Sequence, residues 1–133
     1  MDIVFFKPEH FDIADISGFD IGDFTKEENR EFLAKHIAGT FISDGRIIAF
    51  AGVVVNVCDE IGHAWLVPTI YLKDNYKEFI VEMKSYVEAI KDTFDLKQLI
   101  TNAHDNEQII RWLTWLGFKK DLKSNDNIYV KDL

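Results

Sequence analysis

His63, Glu60, His104 and Cys58 are the residues whose types best suit proton transfer or nucleophilic chemistry in this chain. An imidazole titrates near neutral pH, so His63, three positions after a carboxylate, can take or give a proton. The same His63 can equally be a sheet residue satisfied by a neighbour, and His104 a loop histidine beside a helix start. Cys58 closes an apolar run and reads either as a small hydrophobe or as a nucleophile, and the second role needs an adjacent base. His63, His104 and carboxylates could supply metal ligands, but their spacing is not diagnostic, and a lone cysteine excludes a cysteine-based zinc site. The sequence contains no HExxH, GxSxG, Walker or EF-hand pattern.

The rest of the chain must position these groups. Its 133 residues, 47% hydrophobic and 14% aromatic, suffice for one packed domain spanning 1–133. No apolar run reaches membrane-spanning length, and "MDIVFFKPEH" lacks the basic region of a signal peptide, so a soluble, cytoplasmic protein is expected. A net charge of −8 argues against nucleic acid as a partner and favours cationic ones such as amines or basic peptides. Acidic surface is also ordinary solvated surface, so charge alone does not choose.

Hydrophobic periodicity divides the chain into elements. "DIVFF" opens as a strand, and Pro8 begins a brief helix in "EHFDIADI". "SGFDIGDF" (17–24) is irregular. A helix is expected over "TKEENREFLAKHIAG", with Thr25 and Glu28 as a capping box, Phe32, Leu33 and Ile37 on one face, and Gly39 as its stop. The period then changes: "TFIS" and "RIIAFAGVVVNVC" flank Asp44-Gly45, a hairpin signal, and the second run is apolar enough to lie centrally. "IGHAWLVPT" reads as a strand ended by Pro68. "NYKEFIVEMKSYVEAIKDTF" reads as a helix capped by Asn75 and Glu78, with Phe79, Ile80, Met83, Val87, Ile90 and Phe94 as its stripe. "LKQLITNA" is a strand. "HDNEQIIRWLTWLGFKK" supplies a helix from Asp105, capped with Gln108, faced by Ile109, Trp112, Leu113 and Leu116, and stopped at Gly117. Trp115 lies one turn from this face and either flanks the packing or anchors a partner. "FKKDL" and "NIYVKDL" close the chain as strands. The expected class is α/β, with a mixed, mostly antiparallel central sheet and helices on both faces.

Asn106, the helix after it and the Leu-Gly-Phe stop at Leu116–Phe118, set in this element order, resemble the GNAT superfamily of N-acetyltransferases. The likeness in order covers nearly the whole chain. It implies an acetyl-CoA-dependent N-acetyltransferase acting on an amine-bearing small molecule or peptide. The cofactor would bind where "IGHAWLVPT" and "LKQLITNA" splay, with pantetheine along the strand at Leu66 and Val67. Its pyrophosphate would sit at the start of the next helix, near Lys73, Asn75 and Lys77, where unpaired amides attract anions. Lys73 and Lys77 can equally be ordinary solvated lysines. Asn106 would contact pantetheine, cap its own helix, or both. The family's base would correspond to His63 or Glu60, with His104 as a second candidate near the acyl end. Asp20 and Asp23 fall where the family shapes its acceptor groove.

Two positions depart from that pattern. The phosphate loop of the family is glycine-rich, whereas "IYLKDNYKEF" contains no glycine and adds Asp74. Its tyrosine acid, seven residues after the Asn, corresponds to Leu113, which cannot donate a proton. In size, in the "WLVPT"-type strand and in the missing glycines the chain is similar to small GNAT-like proteins of tailed phages. That resemblance implies the alternative function: a catalytically inactive scaffold that binds a protein partner and is virion-associated.

Overall fold

The computed structural model describes residues 1–16, 27–34, 36–56, 60–103, 106–124 and 126–133. Seven strands run β1 (Asp2–Phe5), β2 (Ile37–Ser43), β3 (Arg46–Asn56), β4 (Ile61–Pro68), β5 (Gln98–Asn102), β6 (Lys119–Lys120) and β7 (Ile128–Asp132). Three α-helices, α1 (Glu27–Ala34), α2 (Tyr76–Phe94) and α3 (Glu107–Trp115), and a 3-10 helix at Pro8–Ile13 complete the order. The sheet order is β1-β2-β3-β4-β5-β7-β6. The β4–β5 pair is parallel, while β1–β2, β2–β3, β5–β7 and β6–β7 are antiparallel. A mixed α/β sheet is thus found, as the periodicity predicts.

The chain falls into two compact units, one of Met1–Val54 with Trp65–Phe79, the other of Val55–Ala64 with Ile80–Leu133. In the first, Asp44 and Gly45 both adopt positive φ, 52° and 73°, and close the two-residue turn between β2 and β3. β3 is buried from Ile48 to Val53, in keeping with its continuous apolar run. The core gathers Phe6, Phe11, Leu33, Ala38, Phe50 and Val67, with Trp65 packed against it. Phe11 stacks on Phe50 at 4.5 Å, and Phe6 meets both edge-on.

The expected helix to Gly39 ends earlier. α1 stops at Ala34, and Ile37 already starts β2, where Gly39 pairs with both Phe5 and Ala51. A strand with ladders on both sides satisfies every backbone group, and this outweighs the local helical period. Leu33 is buried but Phe32 is 51% exposed, so the face is narrower than expected. Thr25 and the segment 17–24, with Asp20 and Asp23, lie outside the described residues.

In the second unit, Ile80, Met83, Val87 and Ile90 bury the apolar stripe of α2, whereas Phe94, at the helix end, is 47% exposed. α3 starts one residue later than the Asp105 cap predicts. Asn106 is the N-cap, its Oδ1 accepting the amides of Gln108 at 3.0 Å and Ile109 at 3.1 Å. The far end is a Schellman motif. Gly117, at φ 94°, donates to the Thr114 carbonyl, and Phe118 donates to that of Leu113. Lys131 Nζ donates to the Leu116 carbonyl at 2.8 Å, a cation at the negative end of the helix.

Candidate functional site

Between β4 and α2, the turn over residues 69–75 is built around Thr69. The β2–β3 register shifts between Phe41 and Ile42, because Phe41 faces Ala49 whereas Ile42 faces Ile47, leaving Ile48 as an extra residue. Thr69, 2% exposed, fills this bulge. Its amide donates to the Ile48 carbonyl at 3.1 Å, and its hydroxyl lies 2.7 Å and 2.8 Å from the carbonyls of Ile47 and Ile48. Four of the following amides also find protein acceptors. Ile70 donates to the Asp15 carbonyl, Tyr71 to Thr69 Oγ1, Leu72 to the Thr69 carbonyl, and Asn75 to the Leu72 carbonyl. Leu72 has no exposed surface, so the turn is also pinned by an apolar side chain.

Asn75 Nδ2 donates to the Tyr71 carbonyl at 2.8 Å. Glu78 lies in the first turn of α2 and pairs with the Met1 amino group at 2.7 Å, so an internal carboxylate already sits at the positive end of the helix. Lys73, Asp74 and Lys77 are exposed. Tyr71 carries a further arrangement that its sequence neighbourhood does not announce. The Arg46 guanidinium lies 4.7 Å over its ring, and its hydroxyl donates to Asp15 at 3.3 Å, beside a pocket of about 150 Å³.

β4 and β5 pair in parallel over Ile61↔Gln98, Gly62↔Leu99 and His63↔Ile100. The ladder ends there, and Ala64 and Thr101, next in register, do not extend it. Glu60, at φ 56°, staples the start of this pair: its carboxylate holds Lys97 Nζ at 2.7 Å and its carbonyl accepts the Lys97 amide at 2.9 Å. The Glu60 partner holds the Lys97 ammonium above its usual pKa, by hydrogen bond and charge. His63 is exposed, at the last pair of the ladder. Leu66 is half-buried and Val67 buried further along β4.

Leu113 is 6% exposed and packs into the interior, where it serves as core. Trp112 is likewise buried, while Trp115 is 42% exposed. His104, Asp105 and Cys58 lie outside the described residues. Among the described residues no group of three or more His, Cys, Asp or Glu could hold a metal ion. Among the described residues no helix is long and apolar enough to cross a membrane.

No protein-family model and no curated protein matches the sequence. Solved structures do match the fold. A GNAT-family acetyltransferase from Streptococcus pneumoniae superposes with a TM-score of 0.73 at 13% identity, over 99% of this chain and 98% of that one. The chain has the GNAT fold. An aminoglycoside 6′-acetyltransferase matches with a TM-score of 0.67 at 14% identity, over 99% of this chain and 97% of that one. An N-acetylglutamate synthase from Neisseria gonorrhoeae, complexed with coenzyme A and N-acetyl-glutamate, matches with a TM-score of 0.60 at 13% identity. That match covers 97% of this chain and 31% of the synthase.

The cofactor that this fold implies can be tested against the residues present. The parallel ladder of β4 with β5 stops at His63. In the turn over 69–75 the amides from Thr69 to Leu72, and that of Asn75, are engaged inside the protein and are not open to a pyrophosphate.

Proposed function

We propose that residues 1–133 form one GNAT-type domain that transfers an acyl group, acetyl in the simplest case, from a coenzyme A-type thioester to an amine. The observation that carries this reading is the parallel β4–β5 ladder that stops after three pairs while both strands continue. A GNAT fold with such a break has backbone on β4 ready to pair with the amide groups of a pantetheine arm. The neighbours named for aminoglycoside and N-acetylglutamate chemistry support an amine as acceptor.

The donor supplies an activated acyl carbon; transfer forms a C–N bond and breaks a C–S bond. His63 is the residue we assign to the acceptor's proton, because its ring is exposed at the last paired position of β4. Glu60 holds Lys97, and we assign it to anchoring the strand start. Leu113 offers no proton, so the leaving thiolate takes one from solvent.

Thiol release from acetyl-CoA with a panel of polyamines, aminoglycosides and peptide amines tests the reading. Turnover that falls about 100-fold or more in His63→Ala, with unchanged melting temperature, is the expected result. A second reading, the catalytically silent scaffold, is favoured by the closed turn and by Leu113. Folded protein that shows neither thiol release nor heat with acetyl-CoA would establish it in place of the first.

A further inference from the structure

The β2–β3 turn, the end of the 3-10 helix and the turn before α2 enclose a pocket that acyl transfer leaves unassigned. It measures about 150 Å³, and Ile13, Ala14, Asp15, Arg46, Ile47 and Tyr71 line it, all within the first compact unit. Its two charges are opposite, yet they do not pair with each other. The Arg46 guanidinium lies 4.7 Å over the Tyr71 ring, while the Tyr71 hydroxyl donates to Asp15 Oδ2. Among the described residues neither charge has an ion-pair partner. A ring face attracts the guanidinium but offers no lone pair, so the N–H fork stays open to an anion. At 3.3 Å the bond from Tyr71 to Asp15 is long for O–H···O, and the carboxylate keeps room for a second donor. Ile13, 75% exposed, adds apolar surface for a ligand to cover.

The backbone under these groups is fixed. The Ile70 amide donates to the Asp15 carbonyl, the Tyr71 amide to Thr69 Oγ1, and Asn75 Nδ2 to the Tyr71 carbonyl. A site held this way loses little freedom when a ligand enters.

We propose that this pocket binds a small zwitterion, an α-amino acid of about alanine size, with its carboxylate on Arg46 and its ammonium on Asp15. A cavity of this volume holds a benzene-sized molecule, roughly six heavy atoms, which matches alanine. A guanidinium reads a carboxylate through paired hydrogen bonds, and a carboxylate prefers an ammonium to a neutral donor. The chain's net charge of −8 disfavours a bare anion, whereas a zwitterion brings no net charge into that field. The site stands apart from acyl transfer and serves an enzyme or a scaffold alike.

Titration of the full chain with alanine, propionate, lactate and ethylamine, followed by amide NMR, tests this. Alanine should shift the amide resonances of Ala14, Gly45 and Tyr71, and should bind about tenfold or more tighter than the other three. In Asp15→Asn, alanine affinity should fall to that of propionate; in Arg46→Gln, to that of ethylamine. Both side chains are exposed, so the melting temperature should not change. Propionate, lactate or ethylamine binding as tightly as alanine to the unaltered chain would overturn the proposal, whatever the variants do. So would millimolar alanine that leaves those three amides unmoved.

Discussion

Gly52, in the middle of β3, has the Trp65 ring laid against it. A Cβ there would stand 2.9 Å from the indole carbons and would also collide with the Ile37 carbonyl, so neither backbone nor ring can yield cheaply. Gly52→Ala should therefore destabilise the fold by roughly 1–3 kcal/mol, as overpacking does, and a denaturant midpoint will report it. Sequence shows a glycine in an apolar run; only the structure shows what stands across from it. His10 is a similar case. Its Nδ1 receives the Lys7 amide at 3.2 Å and lies 2.8 Å from the hydroxyl of Thr40, which has no exposed surface, so the ring is neutral at that nitrogen. Burial pushes the His10 pKa down from 6.5, Glu9 opposes this, and Lys7 adds to it. The unfolded chain then binds the proton more readily. The stability contribution is complete above pH 6.5 and is lost as pH falls from there through the lowered folded value. Unfolding free energies measured between pH 5 and 7.5 should rise with pH, and Thr40→Val should alter that slope.

At the scale of elements, α3 shows one of the two roles that the sequence suggests for Asn106. Asn106 was legible as a cap or as a ligand contact; the cap is present, made through Oδ1, and it does not use the amide nitrogen. Asn106→Ala should cost about 0.5–2 kcal/mol of stability. Asn106→Asp keeps the capping oxygen and removes the amide donor, so it should restore most of that stability. A fall in donor affinity in this stable variant would assign the amide group to the site. The helix stop was fully legible: Leu-Gly-Phe supplies the left-handed glycine and the apolar residue that a Schellman motif needs. The end of α1 was not. Local period extends that helix to Gly39, while pairing of Gly39 with Phe5 and Ala51 places it in a strand. Pairing partners distant in sequence leave no local trace.

At the scale of the whole molecule, a ligand that binds the folded chain must raise its stability by mass action. A pantetheine-bearing donor at 100 times its dissociation constant should add about 2.7 kcal/mol, read as a shift in thermal or chemical unfolding. The scaffold reading predicts no shift. The net charge of −8 should make association with a cationic acceptor weaken as salt is added, which a titration at two ionic strengths will measure.

The sequence by itself determined the periods, the central apolar strand, the hairpin at Asp44-Gly45, the stop of α3, and the absence of glycine between Pro68 and the start of α2. These are local matters of side-chain spacing and backbone freedom. Only the tertiary structure decided that Thr69 fills a bulge in a distant hairpin, that Leu72 is buried, that Glu60 is bound to Lys97, and that the β4–β5 ladder ends at His63. A missing glycine says that close approach by a phosphate is hindered. Whether the remaining amides stay open depends on acceptors brought from elsewhere in the chain, and here Ile48 and Asp15 supply them.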